Sequence, residues 1–248
     1  MGYQNKAVAK GGWNLISATF ERVDGKDVTL ADVSVNDLFT FDNGDTVQFL
    51  DEGGGTRVRE DGYTAEYSYF PEDIAGTAGW YSLFAAYDGE FLSPEAEDDF
   101  TNGAGAVIQT VDKDAALLFS GAVHKGPATI GIAKSGWNIV GNPTPCDLTL
   151  ADIAVNDAFT YDNGDTIQFL DEGGGTKVRE DGYTAEYSYF PEDIAGTAGW
   201  YSLFAAYDGE FLSPDDDDNN ISAGTAFVVQ TVDKTAALQF KAALPAED

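Results

Sequence analysis

In Tyr63-Thr64-Ala65-Glu66-Tyr67-Ser68-Tyr69-Phe70, tyrosines alternate with small or polar residues. This period of two puts one set of side chains on each face of a strand. Apolar, β-branched and aromatic residues predict further strands over Trp13 to Phe20, Thr56 to Arg59, Tyr81 to Tyr87, Ala106 to Val111 and Ala115 to Ala122. Leu38 to Phe41 and Thr46 to Leu50 flank Asp42-Asn43-Gly44-Asp45, which reads as a type I′ hairpin because Asn and Gly accept the positive φ that turn needs. Gly-rich or Asx-Gly stretches separate the runs: Asp51-Glu52-Gly53-Gly54-Gly55, Asp61-Gly62, Asp88-Gly89 and Asn102-Gly103. Helix is minor. Thr29-Leu30-Ala31-Asp32 can make a turn capped by Thr29, and Pro71-Glu72-Asp73-Ile74 one with Pro71 at its first position. The turn spacing predicts an all-β fold, a β-sandwich of jelly-roll or immunoglobulin-like type.

The same pattern occurs twice. Thr40 to Pro94 aligns with Thr160 to Pro214, and the 55 pairs differ only at Phe41/Tyr161, Val47/Ile167 and Arg57/Lys177. The flanks have drifted but still align: Gly12-Trp13-Asn14 with Gly136-Trp137-Asn138, Thr29 to Asp32 with Thr149 to Asp152, and Gln109 to Asp112 with Gln230 to Asp233. The chain therefore reads as two tandem domains, residues 1–123 and 124–248. The short linker Val123-His124-Lys125-Gly126-Pro127 predicts a stiff rod with a head-to-tail joint.

Charge narrows the partners. There are 43 acidic and 13 basic residues, giving a formal charge of −30. The first 122 residues hold 22 acidic and 7 basic side chains and the remainder 21 and 6, so acidity belongs equally to both copies. This disfavours nucleic acid and anionic membrane surfaces and favours cations. No apolar run is long enough for a membrane span, and Met1-Gly2-Tyr3 leads directly into the first copy, so either the protein is made without a signal peptide or one has been removed. The single cysteine, Cys146, excludes an intrachain disulfide.

Gly136-Trp137-Asn138-Ile139-Val140-Gly141-Asn142-Pro143, a Leu-Ala-Asp segment, an Asn-Gly-Asp turn, a Trp and a Gly-rich penultimate strand follow in order. This arrangement resembles repeated β-sandwich domains of large secreted or surface-attached bacterial proteins. The likeness covers each copy nearly end to end; the first departs from it at Ser17-Ala18-Thr19-Phe20. It implies an extracellular or cell-surface β-rich module and brings no catalytic residues with it.

Catalytic chemistry finds little support. His124, the only histidine, lies in the linker, and Cys146 stands beside Asp147, which does not favour a thiolate. A non-enzymatic chain requiring no cofactor is expected. Calcium is the one ion suggested, by oxygen-rich clusters at Asp42, Asn43 and Asp45 with Asp162, Asn163 and Asp165, and by the acidic runs containing Asp98 and Asp99 and Asp215, Asp216, Asp217 and Asp218. Plain turns and solvated loops are the competing explanation. Tyr63, Tyr67, Tyr69 and Trp80, repeated as Tyr183, Tyr187, Tyr189 and Trp200, would stack on sugar rings if exposed and would be core anchors if not.

Two functions fit. The first is a subunit of a self-assembling filament, pilus-like fibre or surface layer, polymerising by exchange of the N-terminal strand that contains Lys6, Val8 and Lys10. The second is a carbohydrate-binding or adhesin module that uses its aromatic surface twice.

Overall fold

The computed structural model describes residues 2–241 except 23, 25, 27, 52, 97, 101, 102, 113, 124–126, 135 and 172, and the backbone but not the side chain of 217. His124, Glu97 and Asn102 therefore lie outside the described residues. Among the described residues strand accounts for 42% and helix for 15%, the latter in pieces of three to five residues. The all-β class holds.

The first copy contains β1 (Gly2–Val8), β2 (Asn14–Ser17), β3 (Phe20–Glu21), β4 (Val28–Thr29), β5 (Ser34–Val35), β6 (Thr46–Gln48), β7 (Glu66–Phe70), α1 (Glu72–Ala75), β8 (Gly79–Ser82), α2 (Leu83–Tyr87), β9 (Asp99–Phe100), β10 (Gly105–Gln109) and β11 (Ala115–Val123). The second contains β12 (Ala128–Ile132), β13 (Gly136–Gly141), β14 (Leu148–Thr149), β15 (Ile153–Val155), β16 (Thr166–Gln168), β17 (Glu186–Phe190), α3 (Glu192–Ala195), β18 (Gly199–Ser202), α4 (Leu203–Tyr207), α5 (Asp216–Asn219), β19 (Asn220–Ile221), β20 (Ala226–Thr231) and β21 (Ala236–Phe240).

Each copy builds one five-stranded antiparallel sheet, in the order β2-β10-β6-β7-β8 and β13-β20-β16-β17-β18. A smaller sheet is centred on the last long strand, with β1, β3 and β5 on β11 and with β12 and β15 on β21. Val47, Tyr67 and Ile108 of the large sheet meet Val8, Leu117 and Phe119 of the small one in a single core, and Ile167, Tyr187 and Val229 meet Ile132, Leu238 and Phe240 in the other. Each fully buried side chain of this size contributes about 1.5–3 kcal/mol relative to exposure.

Three local expectations are corrected. Residues 38–45 do not form a hairpin: Phe41–Asn43 is a 3₁₀ turn ended by Gly44 at φ 74°, so only the glycine takes the left-handed conformation. The buried Asp45 carboxylate accepts the amides of Thr40 (3.0 Å) and Val111 (2.9 Å), which ties the turn down in place of a ladder. Tyr81 to Tyr87 is strand only as far as Ser82, whose Oγ accepts the Ala85 amide and starts α2. Thr56 to Arg59 makes isolated bridges, Leu50 with Thr56 and Val58 with Thr64. The Thr29–Asp32 turn does form, as a 3₁₀ helix whose Asp32 carboxylate accepts both the amide and the hydroxyl of Thr29.

Candidate functional site: the joint between the copies

The two copies meet through reciprocal contacts. Ile16 of β2 bridges Thr225, and Val140 of β13 bridges Ala104. By the sequence alignment Ile16 and Val140 are the same position, as are Ala104 and Thr225. The Ser17 amide donates to Gly224 O (3.1 Å) and the Gly141 amide to Gly103 O (2.8 Å), again an equivalent pair. Trp137 lies against Gly54, and Trp13 against Gly174. Contacts in which i touches j while the counterpart of j touches the counterpart of i define a two-fold arrangement. The joint is therefore isologous, and the head-to-tail expectation is corrected: the edge strands β2 and β13 each use their free side on the other copy.

Polar groups add to the joint on one side. Lys6 Nζ donates to Thr225 Oγ1 (2.8 Å) and Gln4 Nε2 to Ala223 O (2.6 Å). Burial pulls the Lys6 ammonium below the usual lysine range, with Asp147 of the second copy opposing. At Lys6 the second copy has Ile130, so this contact is not duplicated. A cleft of about 330 Å³ opens at the joint, lined by Asp51 and Arg57 of the first copy and by Ile130, Trp137 and Ile139 of the second. A larger one of about 490 Å³ lies within the second copy, lined by Tyr189, Trp200, Tyr201, Pro214 and Lys241.

The buried members of the oxygen-rich clusters are engaged in internal bonds. Asp45 and Asp165 hold backbone amides, Asp165 those of Thr160 (3.0 Å) and Val232 (2.8 Å), while Asp42 and Asp162 are exposed and Asn43 and Asn163 form the last residues of the 3₁₀ turns. Asp98 is buried and takes the Arg57 guanidinium and the Tyr67 hydroxyl, and Asp218 takes Lys177 Nζ (2.7 Å) and the Tyr187 hydroxyl (2.6 Å). Asp99 lies in β9, Asp215 pairs with Arg179 (3.0 Å), and Asp216 opens α5 as an exposed residue; the Asp217 side chain lies outside the description. Among the described residues no group of three or more His, Cys, Asp or Glu is arranged to hold a metal ion.

The aromatic row does not form one exposed face. Tyr67 and Tyr187 are fully buried, and Trp80 and Trp200 are 4% and 5% exposed with their indole N–H groups given to Val33 O and Ile153 O. Tyr69 and Tyr189 pack partly against the same cores. Only Tyr63 and Tyr183 stand at the rim, donating to Asp88 and Asp208 (both 3.0 Å). The reason is that β7 is covered on both sides. Its Tyr67 face meets the core, and Phe70 on the other face stacks on Phe41 at 4.4 Å and meets Tyr81 and Phe91 edge-on.

Nor is the first strand free. β1 pairs with β11 along its whole length, from Gly2↔Gly121 to Val8↔Ala115. Val8 is buried in the core, Lys6 reaches the joint, and the Lys10 amide donates to Asp114 (3.0 Å).

A buried network that the sequence pattern did not single out lies beneath these loops. Arg59 donates to Asp61 (2.7 Å), to the Tyr67 hydroxyl (2.6 Å) and to Ser93 O (3.1 Å), and Arg179 repeats this with Asp181, Tyr187 and Ser213. Burial opposes the charge on Arg59, but its bonds to Asp61 and Tyr67 outweigh it and hold the guanidinium above its ordinary value. Burial and the bond to Asp98 push the Tyr67 phenol up, and the Arg59 bond holds the Asp61 carboxyl below the usual range. The spacing Arg-x-Asp followed by Tyr six residues later was the available signal.

No family model, curated protein or solved structure matches the chain.

Proposed function

We propose that the chain is a non-enzymatic, extracellular or cell-surface structural protein of two β-sandwich domains, 1–123 and 124–248, that serves as a subunit of a self-assembling filament, fibre or surface layer. The observation that carries this reading is the pair of matching outer ends. Since β2 and β13 occupy the joint, the strand order puts β8 and β18 at the opposite edges. Beside them α2 and α4 present the same apolar residues, Phe84 and Tyr87 (44% and 65% exposed) and Phe204 and Tyr207 (44% and 63%). Exposed aromatics in such pairs favour burial against a partner.

The partner we infer is another molecule of this chain. Its end is the same surface, so the contact would be isologous, and a chain with two such ends extends linearly. The free edge of β8 is short and the Ser82 amide already donates to Leu92 O (2.8 Å), so the aromatic pair offers the larger contact. A charge of −30 opposes association, so salt or calcium acting as a diffuse countercharge should promote it. Exchange of β1 between chains is a costlier route, because the seven-residue ladder to β11 has to open first.

Sedimentation and electron microscopy of the full chain, with and without salt and calcium, test the reading. The parent should assemble with rising concentration and salt, and the variant Phe84→Ala/Tyr87→Ala/Phe204→Ala/Tyr207→Ala should stay monomeric. A parent that is monodisperse under every condition overturns it. The cleft lined by Tyr189, Trp200 and Tyr201 supports the second reading, carbohydrate binding; loss of glycan-array signal on Tyr201→Ala would favour that one.

A further inference from the structure

On a two-fold joint, the residues nearest the axis face their own counterparts. Two such pairs occur here. Ser17 faces Gly141: a Cβ on Gly141 would lie 2.1 Å from Ser17 Cβ and 1.7 Å from its Oγ. Gly105 faces Ala226: a Cβ on Gly105 would lie 3.0 Å from Ala226 Cβ, with Ile139 Cγ2 at 2.5 Å. In each pair one copy has the side chain and the other a glycine, and the glycine alternates between copies. Ser17 Oγ is buried with no hydrogen-bond partner, so the hydroxyl occupies this place for its volume and not for a bond.

We propose that the face formed by β2 and the start of β10 is a pairing surface selective for the unlike copy. It takes the β13 and β20 face of a second copy and rejects a face like itself. Two first copies would set Ser17 against Ser17, while leaving Gly105 opposite Gly105. Two second copies would set Ala226 against Ala226 and leave a gap at Gly141. Either like pair is overfilled at one position and underfilled at the other; only the unlike pair fills both. The selectivity lies in the drifted flanks, and it holds whether or not the outer ends polymerise. Any contact between chains through this face would have to join a first copy to a second.

Three full-length variants test this. Gly141→Ser recreates within one chain the Ser-on-Ser contact of two first copies, and no left-handed φ at Gly141 confounds it. Its unfolding midpoint should fall by about 5 °C or more. Ser17→Gly should cost less. Ser17→Gly/Gly141→Ser exchanges the two residues and should recover most of the loss, or restore folding if Gly141→Ser does not fold. A Gly141→Ser midpoint equal to the parent's, or an exchanged variant no better than Gly141→Ser, overturns the proposal.

Discussion

The indole of Trp137 lies against Gly54 of the other copy: a Cβ added to that glycine would stand 3.0 Å from Trp137 Cδ2 and 3.3 Å from Cγ. Gly54 also has φ 79°, a conformation that costs L-residues roughly 1–2 kcal/mol. Both constraints recur between Trp13 and Gly174, at φ 78°. The Gly-rich loop that looks like a plain turn in sequence is the seat for a tryptophan from across the joint.

Gly54→Ala/Gly174→Ala should therefore destabilise the chain beyond the backbone term alone and displace both indoles. The expected outcome is a lower thermal midpoint together with a shift of tryptophan emission toward that of exposed indole. Gly62→Ala, also at positive φ but with open space around it, should lower stability without the spectral shift.

Asp98 is buried between Arg57 and Tyr67. Asp98→Ala would take an acceptor from the buried Tyr67 phenol and an ion-pair partner from Arg57, and we expect a loss of roughly 2–4 kcal/mol in denaturant unfolding, below the full buried-pair cost because Arg57 retains some solvent. Asp218→Ala should lose less, since its partner Lys177 has a side chain 38% exposed against 21% for Arg57.

Glu66 and Glu186 are the acids that burial raises above the ordinary carboxyl value, with bonds from Thr46 and Gln48, and from Thr166 and Gln168, opposing. A raised folded pKa means that the protonated form stabilises the fold. That contribution is complete below the unfolded value of about 4.5 and is lost as pH rises through the folded one. Glu66→Gln/Glu186→Gln should thus be more stable than the parent at pH 7, the difference shrinking toward zero near pH 4. Asp61 and Asp181 have the opposite sign, their folded pKa being lowered, so they stabilise above the unfolded value and lose that contribution on acidification. Being unchanged in both proteins, they cancel in the comparison.

Tyr67→Ala and Tyr187→Ala are poor probes of ligand binding, because both rings are fully buried. Each should cost about 3–5 kcal/mol, as large aromatic truncations in cores do. Circular-dichroism melts will show this; an unchanged melting temperature would place the ring outside the core.

Much of the fold was legible where short-range chemistry decides it. The Thr29–Asp32 cap, the strands around Tyr67 and Ile108 and the turns at Gly62 and Gly89 follow from spacing and residue type. The turn at Asp42–Asp45 departs from the expected hairpin because Asn-Gly fits two conformations, and the choice falls to Asp45 through an amide at Val111, 66 residues away. Tyr81 to Tyr87 departs from the expected strand because aromatic content favours strand, whereas the Ser82 cap starts a helix there. Alternation assigned Tyr67 to a face without saying what covers that face.

The sequence by itself determined that there are two copies, that they are built of strands, and that both are acidic, since repetition, periodicity and charge are properties of residue order. Only the tertiary structure decided that the copies pair by a two-fold and not head to tail. That choice depends on which edge strands remain free once each core has closed, and on whether Ser17 finds a glycine opposite it.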